Sequence, residues 1–123
     1  MLAPFDPEQH MSAVASWAAA RGVELREDIL PPTGFVSDDA AAGWLYLTDS
    51  GLGLVESFVT NPDAPAKARA RAVVEVGEAL IAQAKHLGLT RLVITTGHRA
   101  MGREAMRHGF AYCGPMHVLY LEV

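Results

Sequence analysis

Lys67, Arg69 and Arg71 alternate with alanines in the stretch VTNPDAPAKARARAVVEVG, residues 59–77, just after an apolar run that ends at Asn61-Pro62. Cations so closely spaced can cradle an anion, because guanidinium and ammonium groups make charge-assisted hydrogen bonds to phosphate and carboxylate oxygens. Cations at a helix start also oppose the helix dipole slightly, so an anionic partner would offset their placement. The plainer reading is a solvated basic turn of an ordinary helix, and both readings stay open at this point. On a helix Arg69 and Arg71 diverge by about 200°, so only one of them would face a given ligand.

Other chemistry is sparser. His10, His86, His98, His108 and His117 have no H-x-x-x-H pairing, and no metal is expected. Cys113 is the single cysteine, which excludes an intrachain disulfide and a Cys-rich metal site. It reads as a buried strand thiol, and a lone thiol suits a reducing, cytoplasmic setting. No nucleophile elbow, Walker loop or dinucleotide fingerprint occurs. The formal charge of −4 conceals an asymmetry: residues 1–63 carry ten carboxylates against Arg21 and Arg26, a balance of −8, and residues 64–123 carry eight cations against four glutamates, a balance of +4. One half would suit a cation and the other an anion.

Half of the 123 residues are hydrophobic and a fifth are charged, so the expectation is one globular domain over 1–123 with a core of its own. The opening MLAPFDPEQH lacks a basic region and a long apolar run, so no signal peptide is expected. The run Ala40 to Leu47 is too short to cross a bilayer, and no membrane partner is expected.

The elements that must position these residues follow from periodicity. Met1 to Phe5 fits a short strand. Asp6-Pro7-Glu8 is a helix start, with a carboxylate at the N-cap and proline in the first turn. Met11, Val14, Trp17 and Ala18 then recur at helical spacing until Gly22. Residues 24–33 read as a connection. Gly34 to Val36, Ala41 to Thr48 and Leu52 to Thr60 read as an antiparallel meander with turns at Ser37-Asp38-Asp39 and Asp49-Ser50-Gly51. Val73, Gly77, Leu80, Ala84 and Leu87 then trace one apolar helix face, with Glu75, Glu78 and Lys85 away from it. Gly77 is expected there for close packing of helix on sheet. Arg91 to Thr96 reads as a buried strand, parallel to the one before the helix. A helix at about 99–108, a strand from Gly109-Phe110 to Cys113 and a last strand over 117–123 complete the order. The fold class is α/β, an α+β mixed sheet with helices on both faces, in the order β-α-β-β-β-α-β-α-β-β.

Three stretches in that order carry a resemblance. VESFVTNP is similar to an E-x-x-x-V-x-P central strand, ALIAQAKHLGLTRLVITT to a LL-x-x-A-x-x-x-G-x-x-x-L-x-L-x-T helix and strand, and GREAMRHGFAYCG to A-x-x-x-Y-x-x-x-GF-x-x-x-G. Together they resemble the GNAT superfamily of N-acyltransferases, well over residues 34–123 and loosely over 1–33. The resemblance implies an acyl-coenzyme A site between two parallel strands that splay apart, with acetyl-CoA or another acyl-CoA as co-substrate and no metal. It places Phe58, Val59 and Thr60 at the cofactor-binding strand end, and Lys67, Arg69, Arg71 and Ala72 where the pyrophosphate would meet a helix start. It makes Glu56 the candidate base.

Two departures accompany it. Between Thr60 and Gly77 there is no glycine, so the family's Gly-rich R/Q-x-x-G-x-G/A loop is missing. The family's tyrosine acid falls on Ala105, which leaves Tyr112 and His98 as substitutes. The resemblance implies an N-acyltransferase acting on an amine, a small molecule or a protein. The alternative is a catalytically degenerate binding module of the same fold, for a protein or, as a minor option, a nucleic acid. A homodimer through the edge strand HVLYLEV is a further option.

Overall fold

In the computed structural model, which describes residues 1–123, the chain runs β1 (Leu2–Pro4), α1 (Pro7–Ala19), a 3-10 turn (Glu27–Ile29), β2 (Gly34–Ser37), β3 (Ala41–Leu47), β4 (Leu52–Thr60), α2 (Ala66–His86), β5 (Arg91–Ile94) and α3 (Arg99–Arg107). One five-stranded sheet has the order β1-β2-β3-β4-β5. Its first four strands pair antiparallel, and β4 pairs β5 in parallel across the α2 crossover. The mixed sheet and the parallel crossover agree with the sequence reading.

Local chemistry sets the boundaries. The Asp6 carboxylate accepts from the Glu8 amide at the start of α1, and His10 Nδ1 accepts from the Asp6 amide at 2.9 Å. Together the two bonds satisfy the N–H groups of Asp6 and Glu8, which lack intrahelical acceptors. The β2–β3 turn holds Asp38 and Asp39 at φ 51° and 50°. Such paired left-handed residues match the twist of a tight hairpin, and aspartate tolerates them better than most side chains.

The sheet separates two cores. Val14, Trp17 and Ala18 of α1 pack with Phe5, Val36, Ala42, Trp44 and Val59 on one face. Val76, Leu80 and Ala84 of α2 pack with Leu45 and Val55 on the other. Glu75 departs from the expected polar face: its carboxylate accepts a 2.7 Å hydrogen bond from the fully buried Ser37 hydroxyl. A buried hydroxyl needs a partner, and the Glu75 carboxylate on α2 supplies it.

The sequence also suggests strands at 110–113 and 117–123, and here the structure differs. Residues 110–123 form neither strand nor helix, and β5 is the open edge of the sheet. Strand propensity expresses fit to a pleated, half-buried surface, so a β-type run without a pairing partner stays irregular. Arg26 holds Glu122 at 3.2 Å, which ties the tail to the segment between α1 and β2. For the same reason Cys113 is exposed and not buried in a strand. No helix is long and apolar enough to cross a membrane.

Candidate functional site

The site begins at a break in register. On β3 and β4, Trp44 faces Glu56 and Ala42 faces Val59, so the single residue Gly43 opposes both Ser57 and Phe58. This is a β-bulge, and Ser57 takes the left-handed value φ 60° within it. Gly43 makes the arrangement fit: a Cβ there would lie 2.8 Å from the Phe58 ring. Isolated glycine inside a strand signals a bulge or close approach, and Gly43 is the signal the sequence reading passed over.

The bulge resets which face each side chain takes. Val55 and Phe58 face α2, while Glu56, directly opposite Trp44, and Val59 face α1. Ser57 also reaches the α1 side, where its hydroxyl lies 3.1 Å from the Tyr46 hydroxyl. Pairing between β4 and β5 ends at Val55 and Ile94, just before the bulge. Beyond it, residues 56–60 have no strand on that side. Thr95 Oγ1 spans the opening and donates to Glu56 Oε1 at 3.0 Å. Glu56, Ser57, Tyr46 and Thr95 thus gather polar oxygens around one gap between strands. Of these, only Glu56 was singled out from the sequence.

On the α2 side the gap meets a small cavity of about 50 Å³, open to solvent and lined by Val55, Phe58, Gly77, Ile94, Met101 and Ala105. The close packing expected at Gly77 is absent, since a Cβ there would meet no atom within 4 Å. Glycine instead leaves the cavity wall open at mid-helix. Glu78, Glu104 and His108 form part of the same lining. His108 ties α3 to α2, with Nδ1 2.9 Å from the Glu104 carbonyl and Nε2 3.4 Å from the Glu78 carboxylate. The Glu104 carbonyl first, and then Glu78, hold its imidazole pKa above the ordinary 6.5.

The start of α2 lies at the end of β4. Pro65 is its N-cap and supplies no side-chain bond, so the first-turn amides have no intrahelical acceptor. Lys67 and Arg71 are exposed there. Arg69 is not directed outward: its Nη1 donates to the carbonyls of Pro62 (3.2 Å) and Ala64 (2.7 Å), which fixes the loop leading into the helix. Ala72 is fully buried against Ala40 and Ala41. Of the other strand-end residues, Val59 is buried in the α1 core, and Thr60 accepts from Arg21 at 2.7 Å through its hydroxyl.

Glu56 and Phe58 are therefore brought to the gap from opposite faces. His98 and Tyr112 are not. His98 is the exposed N-cap residue of α3 and makes no side-chain cap bond. Tyr112 is 73 % exposed on the C-terminal tail and does not line the cavity. Ala105, the position of the missing tyrosine, does line it.

No protein-family model matches the sequence, and no curated protein does. Solved structures match over nearly the whole chain. The ribosomal-protein-S18-alanine N-acetyltransferase of Escherichia coli superposes with a TM-score of 0.71 at 12 % identity, over 93 % of this chain and 79 % of that one. A Thermus thermophilus protein gives 0.69 at 14 % identity, over 100 % and 96 %. The aminoglycoside antibiotic 6'-N-acetyltransferase of Acinetobacter haemolyticus gives 0.57 at 14 % identity, over 100 % and 97 %. At such identities the likeness is one of fold, and the fold of this chain is that of the GNAT N-acyltransferases.

Proposed function

We propose that this chain is an acyl-CoA-dependent N-acyltransferase that acts on an amine. The observation that carries the reading is the bulge at Ser57, which ends β4–β5 pairing at Val55 and opens a gap between the Glu56 carboxylate and an apolar cavity. The residues present suit an acyl-CoA. Free amides at the start of α2, with Lys67 and Arg71 beside them, suit its phosphates. Unpaired β4 backbone suits an extended arm bound as an added strand, and the cavity suits its apolar parts.

An acyl-CoA would supply the activated thioester, and this chain's residues would do the rest. Glu56, oriented by Thr95, accepts the proton of the incoming ammonium. Backbone amides beyond Val55 are available to a carbonyl oxygen, and with Ala105 in the place of an acid the departing thiolate would take its proton from water. The amine approaches from the α1 side, which Glu56 faces and where Phe5, Glu27, Leu30 and Pro31 line a second hollow. Its chemical class is a small or protein-borne amine, the lone thiol suits the cytoplasm, and residues 1–123 act as one domain.

A second reading has its own support. Arg69 is spent on the Pro62 and Ala64 carbonyls, no glycine loop approaches a phosphate, and Ala105 offers no acid. These features favour a binding module that has kept the fold without the catalysis. Calorimetric titration with acetyl-CoA at low and moderate salt separates the two. Micromolar binding weakened by Lys67→Ala or Arg71→Ala, followed by thiol release with members of an amine panel, supports the enzyme. Binding without turnover leaves the module, and no binding at either salt removes the acyl-CoA reading. Arg69→Ala should cost stability first, because its contacts are with the loop.

A further inference from the structure

We infer that the apolar cavity beside the bulge takes the acyl chain, and that the preferred donor carries a saturated, uncharged acyl group longer than acetyl. The inference rests on the acyl-CoA reading and adds to it the class of the transferred group.

The course of the arm places the acyl end. The phosphates suit the start of α2, which follows the Thr60 end of β4. An arm laid along the unpaired backbone of residues 56–60 then has its far end at Val55 and Glu56, where β4–β5 pairing stops. Glu56 faces the α1 side there, from which the amine comes. Val55 and Ile94, the last pair of the two strands, line the cavity on the other side. Amine and acyl chain therefore occupy opposite faces of the sheet, with the carbonyl carbon in the gap between them.

Two small residues make the room. Gly77 on α2 and Ala105 on α3 both line the cavity, and a Cβ at Gly77 would meet no atom within 4 Å. Glycine is unfavourable in mid-helix, and no close packing requires it here. Phe58, Val73, Ile81 and Phe110 make the walls apolar. The space is about 50 Å³. A single water needs about 10–15 Å³ of such space, so about three to five methylene-sized groups fit beyond the carbonyl carbon. The ionisable residues of the lining are Glu78, Glu104 and His108, and His108 bonds the Glu104 carbonyl and the Glu78 carboxylate. A chain that ends in a carboxylate would leave water for apolar walls and meet Glu78 and Glu104, so the cavity selects against it.

Calorimetric titration of the full chain with acetyl-CoA, butyryl-CoA and succinyl-CoA tests it. Burying one methylene is worth about fourfold in affinity, so the two extra methylenes of butyryl-CoA should give about 15-fold tighter binding than acetyl-CoA. Succinyl-CoA, of the same chain length but charged, should bind no tighter than acetyl-CoA. Ala105→Leu fills the α3 wall of the cavity and suits a helix. It should remove the preference for butyryl-CoA and change acetyl-CoA affinity by less than about fourfold, the worth of one methylene. Far-UV dichroism checks that the variant folds, and the comparison of donors on the parent chain does not depend on it. Equal affinities for acetyl-CoA and butyryl-CoA on the parent overturn the inference and leave the acyl-CoA reading standing. So does a preference for butyryl-CoA that survives in folded Ala105→Leu, and so does succinyl-CoA binding as tight as that of butyryl-CoA. No binding of any of the three overturns the acyl-CoA reading and the inference with it.

Discussion

Thr95 Oγ1 donates a 3.0 Å hydrogen bond to Glu56 Oε1 across the place where β4 and β5 stop pairing. The strands are held together there by side chains in place of backbone. A carboxylate that accepts from a neighbouring hydroxyl has a fixed direction, which is what a proton acceptor needs before its substrate arrives.

The Thr95–Glu56 bond separates positioning from chemistry. Thr95→Val removes the donor from a half-buried site and should lower stability by about 1 kcal/mol. Glu56→Gln keeps an oxygen that accepts from Thr95, so its melting temperature should stay near that of the parent. If Glu56 is the base, transfer should nevertheless fall by about 10²- to 10⁴-fold in the glutamine variant and only a few-fold in the valine variant. Thermal melts and initial rates on the same preparations decide it. Equal losses of rate in both variants would mean that Glu56 is structural.

Much of the fold was legible because local chemistry and periodicity agree. Asp6-Pro7 marks α1, Asp38-Asp39 marks the hairpin, and the change of period at Val73 marks α2. The site was less legible because it depends on register. Glu56 could be found from its motif, but its bond to Thr95 joins residues 39 apart. The apparent roles of Arg69 and Gly77 changed for a related reason. A helical pattern tells which residues share a face, and it does not tell that Pro62 and Ala64 turn their carbonyls toward Arg69 or that Gly77 meets an empty space. The tail run 117–123 has strand composition, but composition does not supply a neighbouring strand, and the run is irregular.

Gly77 offers a test of the cavity. Its Cβ position is open, so Gly77→Ala should raise stability by up to about 1 kcal/mol through helix propensity. Gly77→Leu would project into the space between Val55, Phe58 and Ile94. It should fold and yet weaken acetyl-CoA binding at least tenfold in the same calorimetric titration. Unchanged affinity would place the ligand's apolar arm elsewhere.

Ser57 combines a left-handed backbone with a hydroxyl bonded to Tyr46. Ser57→Ala loses the hydrogen bond and keeps the unfavourable φ. Ser57→Gly loses the same bond and relieves the backbone, a difference of roughly 1–2 kcal/mol. The glycine variant should therefore be the more stable of the two by about that amount in urea unfolding, less what its freer unfolded chain costs. The reverse order would mean that the bulge relaxes when the hydroxyl is removed. Tyr46→Phe should resemble the alanine variant in the bond it loses.

His108 should make the docking of α3 depend on pH. Its pKa is raised in the folded chain, chiefly by the Glu104 carbonyl and then by Glu78. A raised pKa means that the folded state binds the proton more tightly than the unfolded state does. The stabilisation is then fully present below the ordinary value of 6.5 and is lost as pH rises through the folded value. The protonated ring can donate from Nδ1 to the Glu104 carbonyl and from Nε2 to Glu78, whereas the neutral ring has one N–H and satisfies one of them. Glu104 also holds Arg107 at 2.7 Å, and Arg103 is exposed on the same helix, so nearby cations moderate the effect without reversing it. Hydrogen exchange in α3 should quicken from about pH 6.5 upward. His108→Gln, which donates from its amide nitrogen alone and cannot titrate, should remove that dependence. A wild-type profile identical to that of the glutamine variant would mean that His108 does not latch α3 to α2.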